Sequence, residues 1–128
     1  MAFADARPLN LLLRWHDGVL SACLSNGHDL GQIAQQMVGA SRLKQFSANV
    51  WTNWHQTNKS LAREHLGLAI FNELIPAPIR HLLVQAEGVA MRLQINESLM
   101  SVPWELTFDG QRYLGRKFAL YRQLLRDG

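Results

Sequence analysis

One segment, residues 89–106, has the sequence VAMRLQINESLMSVPWEL. Its beginning alternates between larger apolar side chains and small or polar ones, and this period of two predicts a half-buried β-strand over Val89–Asn96. We predict a short helical or irregular link over Glu97–Val102, and the tripeptide Pro103-Trp104-Glu105 follows this link. A strand that comes after a long helical stretch indicates an α/β chain.

On the N-terminal side, residues 9–24 predict a β-hairpin. Leu9–His16 and Val19–Leu24 flank Asp17-Gly18, which is a preferred two-residue turn. The register that this turn sets separates an apolar face from a mixed face, so the hairpin should cover a core on one side only. The apolar face carries Leu11, Leu13, Trp15, Leu20, Ala22 and Leu24, and the mixed face carries Leu12, Arg14, His16, Val19, Ser21 and Cys23.

Residues 29–88, which follow a turn at Asn26-Gly27, predict a helical region. Asp29 is typical of a helix N-cap, and Gln32 stands in the capping-box position after it. Pro76 disfavours helix at the residue before it and should end one of these helices. The predicted helical stripes and segments are Leu30, Ile33 and Met37; Leu43, Phe46, Val50 and Trp54; about Asn58 to Leu74; and Ile79–Glu87, closed by Gly88.

The C-terminal residues combine an ambiguous element with a basic excess. Lys117–Leu125 fits either a last strand or a helix, because periodicity alone does not separate the two. The formal net charge of the chain is only +3, and the positive charge is concentrated in residues 110–128. Nucleic-acid binding usually needs a broad basic face, so this distribution argues against a nucleic-acid interface.

Composition places the chain among compact, non-membrane domains. It has 128 residues, 48% of them hydrophobic and 18% charged, which suits one globular domain. No apolar run approaches the length of a membrane span, and the first residues lack the pattern of a signal peptide. A single cysteine excludes an internal disulfide, so we expect a reducing, cytoplasmic setting.

The sequence gives no strong catalytic or metal signature. Cys23 and His16 share a hairpin face, but four strand positions, about 14 Å, separate His16 from the residue that pairs with Cys23. The histidines lack the spacing of a metal-binding helix, and no glycine-rich phosphate loop precedes a lysine. We therefore predict no catalytic residue, no metal ligand and no cofactor in this chain.

The tripeptide is the one group of residues that calls for an explanation. Trp104 buries a large area and needs a partner for its N–H, and Glu105 next to it needs a counter-charge. Glu105 could be a catalytic acid or one half of a structural ion pair, and the structural interpretation is favoured. The candidate counter-charges are Arg112, Arg116 and Arg122.

Four segments carry a family resemblance: residues 74–80 (LIPAPIR), 91–95 (MRLQI), 99–106 (LMSVPWEL) and 113–122 (YLGRKFALYR). Together, over Phe71 to Leu124, they resemble the opening half of a CHAT domain, the caspase-like peptidase domain often found behind tetratricopeptide repeats in bacteria. The resemblance implies a caspase-like α/β/α sandwich with a Cys-His dyad. Pro103, Trp104, Glu105 and Arg122 match as structural hallmarks only.

The catalytic residues of that family lie after the Pro-Trp-Glu region, in a His-Gly-type loop and behind a later strand. Neither Cys23 nor any of the five histidines matches those positions. We therefore expect an incomplete domain: a processed subunit, a split-gene product or a truncated fragment. In this interpretation residues 1–128 form one unit, with a hairpin (1–28), a helical region (29–88) and the start of the caspase-like sheet (89–128).

The expected function is that of a non-catalytic N-terminal portion of a CHAT-type cysteine peptidase. Its partner would be a C-terminal catalytic half or partner chain, together with a protein regulator, rather than nucleic acid or a membrane. The alternative is a non-enzymatic, CHAT-like interaction or adaptor module in a bacterial signalling or defence complex.

Overall fold

A mixed five-stranded sheet organises the chain, and the computed structural model describes residues 9–25, 31–57, 59–86 and 90–126. The sheet has the order β3-β2-β1-β4-β5. β2 is antiparallel to both of its neighbours, β1 and β3, whereas β1, β4 and β5 are parallel to one another. The predicted α/β class is confirmed. The strands are β1 (Leu9–His16), β2 (Val19–Ser25), β3 (Gln32–Met37), β4 (Ala90–Ile95) and β5 (Ala119–Leu124), and the helices are α1 (Ala40–Gln56), α2 (Ser60–Leu74), α3 (Ala77–Gln85) and α4 (Leu114–Lys117).

The β1–β2 hairpin has the predicted register. His16 pairs with Val19, and Leu12 pairs with Cys23. Asp17 and Gly18 both have positive φ, 49° and 84°, which suits the twist of a two-residue hairpin turn. The predicted apolar face is the buried one, with Trp15 only partly buried at its end.

The first predicted helix is wrong, because the residues that carry Ile33 and Met37 form β3. This strand extends the hairpin by pairing antiparallel with β2, and the amide of Val38 then donates to the Gly18 carbonyl. Ile33 and Met37 are four positions apart, a spacing that fits one face of a strand as well as one face of a helix, so the short pattern did not separate them. The helical region therefore begins at Ala40, and the predicted turn at Asn26-Gly27 and cap at Asp29 lie outside the described residues.

The other predicted helices are confirmed with small shifts of their ends. α1 buries Leu43 and Val50 of its predicted stripe but continues through His55 to Gln56. α2 ends at Leu74, before Pro76, as the proline predicts. α3 begins at Ala77, with a proline in its first turn, and ends at Gln85, two residues before the predicted Glu87. Glu87 and Gly88 themselves lie outside the described residues.

The second half of the sheet is parallel. β4 is the predicted alternating strand, and the last segment is a strand rather than a helix, since β5 pairs with β4 over all six residues. The side-chain amide of Asn96 extends the pairing of β1 and β4 by donating to the Trp15 carbonyl at 2.8 Å and accepting from the Trp15 amide at 3.1 Å. Asn96 is only 3% exposed, so these bonds satisfy a buried polar group.

The two faces of the sheet differ in cover. One face packs into the core with residues of α2 and α3. On the other face, which we call the uncovered face, every described side chain of the five strands is half-buried or exposed. The core side chains of the sheet include Leu11, Leu13, Leu20, Met91, Leu93 and Ile95, each at most 1% exposed. None of the helices in the described part of the chain is long and apolar enough to cross a membrane.

Candidate functional site

The Pro-Trp-Glu segment forms a tight 3₁₀ turn, Trp104–Leu106, between β4 and β5. Trp104 is 1% exposed, and its indole Nε1 donates to the Leu99 carbonyl at 2.9 Å. The Leu106 amide donates back to the Pro103 carbonyl at 2.9 Å. The buried indole therefore has the hydrogen-bond partner that it needs, and it fixes this turn to the core.

Glu105 forms a two-bond ion pair with Arg122 of β5. Arg122 Nη2 donates to Glu105 Oε1 at 2.6 Å, and Arg122 Nε donates to Oε2 at 2.7 Å. Both side chains are partly exposed, at 42% for Glu105 and 23% for Arg122. Of the three arginines expected as counter-charges, Arg122 is the partner, whereas Arg112 and Arg116 lie exposed.

Arg122 also binds backbone groups of the preceding loop. Its Nη1 donates to the Met100 carbonyl at 2.9 Å, and its Nη2 donates to the Val102 carbonyl at 2.8 Å. The Arg122 guanidinium thus connects β5 to the loop that contains Met100 and Val102 and to the carboxylate of Glu105 in the turn. We call this set of contacts the Arg122 clamp. Because arginine offers several donors in a fixed plane, such a clamp sets direction as well as distance.

The clamp keeps Glu105 ionised. Partial burial alone would raise the pKa of Glu105, but the Arg122 guanidinium outweighs it and holds this pKa below its ordinary value of 4.5. A general acid at neutral pH needs a raised pKa instead. The geometry therefore supports the structural interpretation of Glu105 over the catalytic one.

A second ion pair, which the sequence did not reveal, joins Asp109 to Lys117. Both side chains are 2% exposed, and Lys117 Nζ lies 3.3 Å from Asp109 Oδ2. Lys117 also donates to the carbonyls of Leu83 and Val84, at 2.7 and 3.0 Å, which are end groups of α3. This lysine therefore connects α3 to the segment before β5.

Asp109 organises the turn in which it lies. Its Oδ1 accepts from the backbone amides of Gln111 and Arg112, both at 2.8 Å. Burial alone would raise the pKa of Asp109, but these amides and the Lys117 ammonium hold this pKa below its ordinary value of 3.8. Asp109-Gly110 is a dipeptide typical of turns, and Gly110 has a φ of +100° there. The sequence does not indicate the role of Lys117, because nothing local links Lys117 to residue 109 or to α3.

Helix α2 packs closely against this region. A Cβ at Gly67 would lie 2.3 Å from the Leu106 carbonyl oxygen, so only glycine allows the approach. The Phe108 amide donates to the Gly67 carbonyl at 3.0 Å. The turn is thus held by the core below it, by Arg122 from β5 and by α2.

An open groove of about 570 Å³ borders the turn. Arg63 lies over the Trp54 ring at 5.4 Å, and Trp54 meets Tyr113 edge-on at 6.1 Å. Burial raises the pKa of the Tyr113 phenol, and Glu64 raises it further. The groove is amphipathic, with both signs of charge on its wall, and its geometry does not indicate one ligand.

The candidate reactive side chains do not come together. Cys23 and His16 are separated along the hairpin as predicted, since they pair with Leu12 and Val19. His55 stacks on Trp51, and His28 lies outside the described residues. Within the described ranges, no group of three His, Cys, Asp or Glu side chains could hold a metal ion. The arrangement around the turn can anchor a strand, and its two paired carboxyl groups, those of Glu105 and Asp109, have lowered rather than raised pKa values.

Comparisons of this chain with protein-family models, with curated proteins and with solved structures found no match. The functional argument therefore rests on the geometry of the described residues and on the sequence motifs.

Proposed function

We propose that this chain is the non-catalytic N-terminal portion of a CHAT-type caspase-like cysteine peptidase, and that a Cys/His-bearing half completes its sheet at β5. The observation that carries the proposal is the Arg122 clamp, which fixes β5 beside β4 and ties it to the Pro-Trp-Glu turn. In this role the chain supports a catalytic half without supplying a reacting group.

The free side of β5 supports this proposal. β5 is the last strand in the sheet order, so among the described residues no strand pairs with its outer side. An unpaired edge offers backbone N–H and C=O groups to an incoming strand. Since the clamp fixes the position of β5, a partner strand would meet it in one register.

The uncovered face of the sheet gives a second line of support. Parallel strands are usually covered on both faces, yet Tyr121 of β5 is 44% exposed and Arg92 beside it on β4 is half-buried. A partner that adds strands at β5 and helices over this face would complete a three-layer sandwich.

The charges near β5 indicate which cations a partner would meet. Arg122 and Lys117 are already paired with carboxylates. Arg112, Arg116 and Arg126 remain exposed. A partner surface with acidic side chains would therefore associate faster and more specifically than a basic one.

Co-expression tests the proposal. Residues 1–128 are produced with the polypeptide encoded directly downstream or by the adjoining gene, where it carries His and Cys, and hydrolysis of a fluorogenic peptide pool is measured. We expect the two polypeptides to co-purify and to hydrolyse peptides only together. Arg122→Gln should weaken both, whereas Lys44→Gln, which removes an exposed charge on α1, should change neither. A catalytic half that is fully active alone, or adjoining reading frames without a His/Cys pair, would overturn the proposal.

The second candidate function is a non-enzymatic CHAT-like adaptor. It is favoured by one observation: the Arg122 and Lys117 side chains donate to backbone carbonyls, and Lys117 also pairs with Asp109. Polar groups that bond within the chain in this way suit a binding scaffold. The same experiment separates the two functions. An adaptor would bind a partner protein through β5 without any gain of hydrolysis.

A further inference from the structure

The opposite margin of the sheet, β3, differs from β5 in charge and in exposed side chains. β3 has the sequence QIAQQM, with no charged residue, proline or glycine. Natural edge strands often carry charged residues or proline, which prevent pairing with other chains. Ile33 is 70% exposed and Met37 is 83% exposed, both on the uncovered face of the sheet. Among the described residues no strand pairs with the outer side of β3, and the strand itself carries no charge that would repel a partner strand.

The sequence of β3 is nearly self-complementary about Gln35. If two copies of the strand pair antiparallel with Gln35 opposite Gln35, Ile33 of each copy faces Met37 of the other. Residues directly opposite each other in such a pair point to the same face and interact. The two most exposed apolar side chains of the sheet would then cover each other in both halves of the contact.

We propose that two copies of this chain associate through β3, in an antiparallel arrangement centred on Gln35, to form one continuous ten-stranded sheet. The contact is isologous, so it closes after two copies and does not propagate into a fibre. The Gln35 amide is compatible with this contact: its Nε2 donates one hydrogen to Ser21 Oγ at 3.1 Å, which leaves its second N–H and its carbonyl oxygen able to bond with the Gln35 amide of the second copy.

The position of β3 is fixed well enough for such pairing. The Gln36 side chain donates to the Glu73 carbonyl at the end of α2, and the Trp15 indole donates to the Val38 carbonyl at 2.7 Å. These contacts leave the uncovered-face residues Ile33, Gln35 and Met37 available. The proposal concerns the margin opposite to β5 and does not depend on the proposed function.

The first test is the mass of the full chain in solution, measured by light scattering over a range of concentrations. We expect about twice the 14.5 kDa chain mass. Gln35→Lys places two like charges opposite each other and should raise the dissociation constant at least about tenfold. Gln123→Lys is the matched control, because Gln123 is an exposed glutamine on the other edge strand, and it should leave the dimer unchanged. A monomer at all concentrations, or a dimer that Gln35→Lys does not weaken, overturns the proposal.

Disulfide trapping tests the register and does not depend on the folding of the lysine variant. In a Cys23→Ser background, Gln35→Cys should give a covalent dimer on mild oxidation. Ile33→Cys alone should not, because its copies would lie about 14 Å apart in this register. Combining Ile33→Cys with Met37→Cys should restore the cross-link. Trapping by Ile33→Cys alone, or no trapping by Gln35→Cys, overturns the register.

Discussion

At one margin of the sheet, side-chain contacts hold β5 and the residues just before it. Arg122 of β5 pairs with Glu105, and Lys117, two residues before β5, pairs with Asp109 and binds the end of α3. The indole of Trp104 fixes the turn that contains Glu105. At the other margin, β3 is bound mainly by its pairing with β2 and by single contacts such as that of Gln36 with Glu73. The residues around β5 form two ion pairs, whereas the six residues of β3 carry no charge. Neighbouring charges and a fixed register suit a specific partner of different sequence, whereas a neutral, nearly symmetric strand suits a second copy of itself.

The largest effect should come from the tryptophan below the β5 margin. Trp104→Ala removes a side chain that is 1% exposed and should lower the free energy of unfolding by about 3–5 kcal/mol. Trp51→Ala is the control, because the Trp51 indole also donates to a carbonyl, that of Ser101, but its side chain is 41% exposed. Urea denaturation of the two variants measures the difference. Equal losses would show that the turn is not part of the core.

The buried ion pair should give the next largest effect. Lys117→Met leaves Asp109 buried without its cation and should cost about 3 kcal/mol, while Arg116→Met, an exposed neighbour, should cost less than about 0.5 kcal/mol. Adding Asp109→Asn to Lys117→Met should recover part of the loss. Thermal denaturation gives the comparison, and a Lys117→Met variant as stable as wild type would contradict the role of this pair.

The Arg122 clamp should have a smaller, pH-dependent effect. Glu105→Gln should cost about 1–2 kcal/mol at pH 7, because it removes charge-assisted hydrogen bonds at a partly exposed site. The pKa of Glu105 is lowered by folding, so its contribution is present above its ordinary value of 4.5 and is lost as the pH falls through the folded value. The difference in stability between wild type and Glu105→Gln should therefore shrink as the pH is lowered from 7 towards 3.

The control for the clamp is the exposed pair of Arg42 with Glu73, near the β3 margin. Its side chains are 65% and 39% exposed, so Glu73→Gln should cost no more than about 1 kcal/mol at pH 7. Urea denaturation at both pH values checks the two variants side by side. A larger loss for Glu73→Gln than for Glu105→Gln would reverse the comparison of the margins.

The smallest effect on the folding of a single chain should come from β3 itself. Met37→Thr changes a side chain that is 83% exposed and should alter the unfolding free energy of the monomer by less than about 0.5 kcal/mol. If β3 pairs with a second copy, the same variant should weaken the dimer. Denaturation at low and at high protein concentration separates these effects. A large loss at low concentration would mean that Met37 supports the monomer fold.

The sequence predicted best where a strand or helix is determined by its own residues. The hairpin register follows from Asp17-Gly18, the β4 strand from its alternation, and the end of α2 from Pro76. β3 was missed because Ile33 and Met37 fit two periodicities and the β2 edge decided between them. Such a decision depends on tertiary contacts that a short window does not contain.

In the candidate site, too, the sequence predicted the local feature and missed the contact that depends on the tertiary fold. Glu105 was expected to need an arginine, since a carboxylate next to a buried tryptophan has to be compensated, and Arg122 was among those named. The pairing of Lys117 with Asp109 and with α3 was not predictable, because it depends on where a helix 33 and 34 residues earlier in the chain ends in space.

The central claim is that a catalytic half docks at the β5 edge, and amide hydrogen exchange tests it most directly. Exchange in residues 119–124 is compared for this chain alone and in complex with the Cys/His-bearing polypeptide. We expect the amides of this segment that point away from β4 to exchange at least about tenfold more slowly in the complex, while those of residues 32–37 keep their rates. A complex that forms without added protection in 119–124 would contradict the claim.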